Sequence, residues 1–218
     1  MRNPVVAMSA TETTYANDQV QSFDPFKKTG IIEEAMVTCI LPYVKTAREA
    51  IARFAKIIKD HTAGESDGIL FADPKEAWYF EIGTAHYWVA QRIPDDCYAV
   101  SANELAIQGI AFNDSDNFIT APGLQKFVEE HNLWPNNRSF NWRRIFGTHN
   151  LLDLTYNTAR VWTGQRILSP SIKQEPSSFD IPFIQKADHP ISITDAQRVL
   201  RDHYDGTKYD VANPVNKD

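Results

Sequence analysis

Residues 77–103, AWYFEIGTAHYWVAQRIPDDCYAVSAN, decide the fold of this chain. Trp78, Phe80 and Ile82 alternate with Tyr79 and Glu81, and after Gly83-Thr84-Ala85 the alternation resumes through Tyr87, Val89, Gln91 and Ile93. Pro94-Asp95-Asp96 then turns the chain into Cys97-Tyr98-Ala99-Val100, and Ser101-Ala102-Asn103 follows where the apolar pattern stops. Period-2 runs rich in aromatic and β-branched residues, bounded by Gly, Pro and Asp, predict three strands of an antiparallel meander. A buried strand ending in Asn103 is one way to aim an amide donor into a site.

Upstream, residues 5–13 pass from apolar to polar and predict a strand that offers Ser9, Thr11 and Thr13. Residues 17–30, with Asp24-Pro25, read as a polar loop. A helix follows: Leu41, Val44, Ala47, Ile51, Phe54, Ala55 and Ile58 recur at three and four, with Lys45, Arg48, Glu49, Arg53, Lys56 and Lys59 opposite. Basic residues near its C-terminal end suit the helix dipole. Residues 61–68 form the exit loop, and Ile69-Leu70-Phe71 opens the strand group. Beyond Asn103, residues 113–117 form an acidic, turn-rich loop, and Leu124, Phe127, Val128 and His131 mark a short helix closed by Trp134-Pro135. Residues 155–168 are helical; residues 170–190, with four prolines, lie extended; residues 194–204 form a last helix with Thr194 as cap. After Gly206 periodicity ends, and the tail is expected to fray.

A chain of 218 residues supports one domain with a sizeable core, or at most two small ones. Its 43% apolar and 11% aromatic content is that of a folded protein. The formal charge of −6 argues against nucleic acid or an anionic membrane as the main partner. No apolar run approaches the ~20 residues of a membrane span, and the N-terminus lacks a signal-peptide core. Cys39 and Cys97 are far apart, without Cys-x-x-Cys pairing or clustered histidines. A disulfide scaffold and a sequence-evident zinc site are therefore excluded, no cofactor is expected, and a reducing cytoplasmic setting is the simplest reading.

Three blocks carry a resemblance. Trp78-Tyr79-x-Glu81, His86-x-Trp88-Val89-Ala90-x-Arg92-x-Pro94-Asp95-Asp96 and Tyr98-Ala99-Val100 form the middle one. The segment from Val6 to Thr13 lies upstream, and Tyr156-Asn157-Thr158-Ala159-Arg160-x-Trp162 downstream. In order and spacing they resemble the dipeptidase A family, cysteine-type peptidases of the N-terminal nucleophile hydrolase superfamily. The resemblance spans nearly the whole chain, and because family members are much longer it implies an internal piece lacking both ends. The fold it implies is α+β, part of an αββα sandwich of antiparallel sheets and helices. The expected organisation is one partial hydrolase domain over residues 1–210, with core strands and helix in 1–105, a helical and loop part in 106–210, and a tail at 211–218. Absent strands should leave an open edge and an apolar face, which predicts self-association into homo-oligomers or poor solubility.

The resemblance implies hydrolysis of dipeptides with free ends through a thiol acyl-enzyme, without a metal. Such an enzyme uses the side chain of its first residue as nucleophile and its own α-amine as base. Neither Cys39 nor Cys97 is near a terminus, and both read as small buried hydrophobes. The expectation for residues 1–218 alone is therefore no dipeptide hydrolysis, with activity restored by an upstream segment bearing the cysteine.

By resemblance, Asn103 matches an asparagine whose amide helps hold the developing oxyanion; the residues alone allow a turn or a helix cap before Glu104-Leu105. Arg160 resembles a site arginine that lowers a thiol pKa or binds a carboxylate, against a solvated helix arginine. It follows Ala159, where the family often has proline. Glu81 and His86 are substrate-binding candidates, Glu81 for a free ammonium. Their plainer readings are a solvent-facing strand residue and a hydrogen-bonded core or turn histidine. Trp78, Trp88, Trp142 and Trp162 are read as core. A non-catalytic remnant or interaction module keeping the fold is the competing functional reading, and a Ser hydrolase is disfavoured because Gly-x-Ser-x-Gly is absent.

Overall fold

A computed structural model describes residues 6–11, 15–135, 137–204 and 206–210, so Thr13 and the tail at 211–218 lie outside the described residues. In chain order the elements are β1 (Ala7–Thr11), α1 (Asp18–Phe23), α2 (Glu33–Ile40), a 3₁₀ turn (Leu41–Tyr43), α3 (Ala47–His61), β2 (Gly68–Ala72), β3 (Ala77–Ile82) and β4 (Trp88–Ile93). They continue with β5 (Tyr98–Ala99), β6 (Phe118–Thr120), α4 (Leu124–Glu130), α5 (Trp142–Phe146), a π-helical turn (Asp153–Asn157), α6 (Thr158–Leu168), β7 (Ile184–Gln185) and α7 (Ile193–Arg201). The chain is α+β with antiparallel sheets, as expected. It divides into two compact units, residues 1–95 with 103–148 and residues 96–102 with 149–218.

The first unit is built on a five-stranded antiparallel sheet of order β1-β2-β3-β4-β6. Registers Ile69↔Phe80, Phe71↔Trp78, Phe80↔Ala90 and Ile82↔Trp88 gather one apolar face. On it pack Met36 and Ile40 of α2 and Ala50, Ile51, Phe54 and Ile58 of α3. Phe80 is central, its ring 4.9 Å from Phe54 and stacked on Trp88 at 4.6 Å. Helix α3 begins at Ala47 rather than Leu41. Pro42 sits in the preceding 3₁₀ turn, and Thr46 is the N-cap, its hydroxyl accepting from the Glu49 N–H at 3.1 Å. The loop expected at residues 17–30 contains α1, started by Asn17, whose side chain accepts from the Val20 N–H. Six residues are too few to show a helical period.

The other face of this sheet is not simply solvent. Ser9, Leu70, Tyr79, Gln91 and Phe118 share one cross-strand row, and Thr11, Gly68, Glu81, Val89 and Thr120 the next on that face. Tyr79, Glu81 and Val89 are fully buried. The central strand β3 is therefore covered on both faces.

The second unit holds the two-stranded sheet β5-β7 and a small core of Ala102, Val161 and Ile181 with Val100 and Trp162. Tyr98 is thus not in a third strand of the meander. The outer edge of β4 carries β6 instead, through Val89↔Thr120, Ala90↔Ile119 and Gln91↔Phe118. Alternation identifies a strand but not its neighbour. Helix α7 is capped by Ser192, not Thr194: Ser192 and Asp195 form a reciprocal capping box. The helical segment expected from 155 opens as the π-helical turn, anchored where the Asn150 side chain accepts from the Asp153 N–H at 3.1 Å and Asp153 from the Asn150 N–H at 3.0 Å.

Candidate active site

Asn103 lies in a bend, partly exposed, at the head of a buried run Glu104-Leu105-Ala106-Ile107. No helix follows it and no strand ends at it, so the helix-cap alternative and the strand-end placement are both corrected. The run after it is fixed from two sides. Glu104 pairs with Arg143 at 2.8 Å, both side chains almost fully buried. Further along, the Trp142 N–H donates to Gln108 O at 2.8 Å and the Arg143 N–H to Ile107 O at 2.9 Å, joining the run to the start of α5.

Glu81 closes the other side. Its Oε1 accepts the Ala106 N–H at 2.5 Å and its Oε2 the Ile107 N–H at 3.2 Å. The reading of Glu81 as a solvent-face residue is overturned, because alternation separates two faces without telling whether the second is covered. Burial raises the Glu81 carboxyl to about 8, against the opposing pull of the Ala106 and Ile107 amides, Trp142 and Arg143. Trp142 Nε1 is buried without a partner of ordinary hydrogen-bond geometry, yet it lies close enough to favour the carboxylate.

On the same sheet face, two strands from Glu81, stands Thr11, with Gly68 between them in the row. A Cβ on Gly68 would lie 2.0 Å from Tyr79 Oη and 2.8 Å from Thr11 Oγ1. The two hydroxyls therefore crowd over a position only glycine can occupy. Ser9 lies one row away, exposed on β1.

His86 is in the β3–β4 turn. Asp24 accepts its backbone N–H at 2.9 Å and meets its Nδ1 at 2.8 Å, which corresponds to the hydrogen-bonded turn reading.

Arg160 is in the second unit, on the first turn of α6. Its Nε donates to Tyr156 O at 3.0 Å, its Nη2 to Asn157 Oδ1 at 2.7 Å, and its guanidinium stacks 4.1 Å from the Tyr156 ring. Asn157 is itself buried and donates to Asp153 Oδ1 at 3.0 Å. The Tyr156-Asn157-Thr158-Ala159-Arg160 block thus spans the change from π to α geometry, where the extra backbone residue aims Arg160.

Both cysteines are partly buried. Cys39 packs against the helix–sheet core. Burial, together with neighbouring Asp96, pushes the Cys97 thiol up, away from a reactive thiolate. Trp78, Trp88 and Trp142 are buried as read, and Trp162 is partly so. Among the described residues no group of three or more His, Cys, Asp or Glu is arranged to hold a metal ion, and no helix is long and apolar enough to cross a membrane.

Sequence reasoning missed Glu104, Tyr79, Trp142 and Arg143. A signal existed for Glu104, a single charge heading the apolar run Leu105-Ala106-Ile107. Its partner 39 positions away carried none.

The chain is similar to a probable dipeptidase of Latilactobacillus sakei, 49% identical over 205 residues, covering 94% of this chain and 43% of the relative. It is 37% identical over 208 residues to dipeptidase A of Lactobacillus helveticus, covering 94% and 44%. To a dipeptidase of Bifidobacterium longum it is 35% identical over 232 residues, covering 94% and 44%. The chain spans somewhat less than half the length of these curated relatives. A family model of peptidase family C69 matches residues 1–218, and the chain belongs to that family.

Proposed function

We propose that the protein carrying this chain is a cysteine-type dipeptidase that cleaves dipeptides with free ends through a thiol acyl-enzyme, in a reducing, cytoplasmic setting and without a metal. The observation that carries the reading is the family match over the whole chain, together with relatives named as dipeptidases. The attacking thiol belongs to an N-terminal cysteine rather than to Cys39, which packs against the helix–sheet core, or to Cys97, whose thiol is pushed up by burial and by Asp96.

In this reading the thiolate adds to the peptide carbonyl, and negative charge gathers on its oxygen. The Asn103 side-chain amide donates to that oxygen. A donor held there before the reaction stabilises the tetrahedral state by about 3 kcal/mol, because it need not reorganise as charge develops. The tetrahedral state expels the amine, which takes up a proton, and water then releases the acyl group as the free acid. By the resemblance, Arg160 is the candidate for a fixed positive charge toward a carboxylate, its guanidinium plane oriented by Asn157 and Tyr156.

The test is amino-acid release by the native gene product from a dipeptide panel under reducing conditions, with and without a thiol alkylator. Asn103→Ala is expected to lower kcat about 100-fold while KM changes little. Turnover that survives alkylation would remove the thiol mechanism, and an unchanged kcat in Asn103→Ala would remove the oxyanion role.

A further inference from the structure

We infer that Glu81 is a positioning residue for the reaction, acting through the backbone of residues 104–107 to fix where the Asn103 amide stands. The inference rests on the role proposed above for Asn103, and goes beyond it by naming the group that holds that residue in place.

The geometry is specific. Glu81 projects from the central strand, where Val89 of β4 and Gly68 of β2 flank it in the same row. Strand β3 is paired on both edges and covered on both faces, so Glu81 stands on one of the least deformable parts of the unit. Its two oxygens take two consecutive amide protons, Ala106 and Ile107. A carboxyl group accepting two successive N–H groups, one on each oxygen, fixes both the position and the rotation of that backbone. The Glu104–Arg143 pair then holds the residue directly after Asn103. Asn103 is left as the partly exposed tip of a segment whose next four residues are buried.

Full burial of an ionisable side chain is costly, and an apolar residue in its place would commonly be as stable or more so. A buried glutamate directed at two backbone amides therefore contributes order rather than net stability. An oxyanion donor needs that kind of order, since displacement of a reacting geometry by ~1 Å can cost ~100-fold in rate.

The experiment is a double-mutant cycle in the native gene product, with Glu81→Gln, Asn103→Ala and the pair, read as kcat and KM on one dipeptide. Glu81→Gln keeps one acceptor and sets an NH₂ group against the second backbone N–H. Its expected effect is a roughly tenfold fall in kcat with KM within about twofold. The double variant is expected to be no slower than Asn103→Ala alone, because Glu81 acts through that amide. Multiplying effects in the pair, or an unchanged kcat in Glu81→Gln beside a slow Asn103→Ala, would overturn the inference and leave the oxyanion reading standing. An unchanged kcat in Asn103→Ala would remove both.

Amide hydrogen exchange supplies a readout independent of turnover and needs no folded variant. In the unmutated protein the Ala106 and Ile107 amides should be protected as strongly as those of β3. Unprotected amides at these two positions would by themselves overturn the clamp. Where Glu81→Gln folds, protection should fall at residues 104–107 and persist in the sheet.

Discussion

Two charged residues matched to the same family motif set, Glu81 and Arg160, are held in opposite ways. Glu81 is fully buried and bonds to amides 25 and 26 positions along the chain. Arg160 is partly exposed and bonds to Tyr156 and Asn157, four and three positions away. The first arrangement exists only when the whole unit has folded; the second includes two bonds made within a single helical turn. A long-range clamp gives exact placement at the cost of dependence on distant packing, whereas a local one tolerates change elsewhere. The contrast would suit the roles proposed above, since an oxyanion donor must sit correctly to a fraction of an ångström while a carboxylate binder acts partly at range.

The largest effect that would sharpen this contrast is expected at Arg143. Arg143→Ala breaks the buried ion pair with Glu104, and should destabilise the protein by about 3–5 kcal/mol in urea unfolding. A loss under 1 kcal/mol would mean the run after Asn103 is not fixed as described. Next comes the pH dependence of Glu81. Its folded carboxyl is raised to about 8, so the folded state keeps a proton that the unfolded chain gives up in the ordinary carboxylate range. Stability from this group is therefore greatest at acid pH and falls as pH rises towards about 8. The slope approaches about 1.4 kcal/mol per pH unit within the window. Arg143, itself paired with Glu104, is the charged neighbour that opposes the shift. Comparing unfolding of the unmutated protein with Glu81→Gln between pH 5 and 8 isolates the slope, and parallel curves would contradict the burial. The smallest effect is expected at Arg160. Two of its bonds stay within one turn and its surroundings are partly wet, so Arg160→Ala should change stability by only about 0.5 kcal/mol. In the proposed enzyme the same change should raise KM for dipeptides. A large stability loss would show that Arg160, too, is a long-range structural element.

These two regions also show what was legible in the chain. The strands β3 and β4 followed from period-2 alternation, β2 from the apolar run Ile69-Leu70-Phe71, and the helix α3 from apolar residues recurring at three and four. The Tyr156–Arg160 turn was legible as a motif because its bonds are local. Glu81 was misplaced on solvent for the converse reason: a strand buried on both faces keeps its alternation, and only tertiary structure reveals the second cover. Pairing of β5 with β7 was hidden likewise, since Tyr98 and Gln185 are far apart in sequence. For the last helix the sequence offers Thr194 as a cap, but Ser192 with Asp195 three residues on spells the reciprocal box that the structure uses.

The ladder of the first sheet sets an order of assembly. Strands β2, β3 and β4 are joined by short turns and close small loops, so their pairing should be among the early events of folding. The partners of Glu81 and Glu104 arrive only when far later residues return. A folding chain will thus carry the glutamate on a formed sheet, still hydrated and ionised, until Ala106 and Ile107 dock over it. Proton uptake at neutral pH should accompany that docking, so the docked arrangement will be favoured less as the solution is made more alkaline.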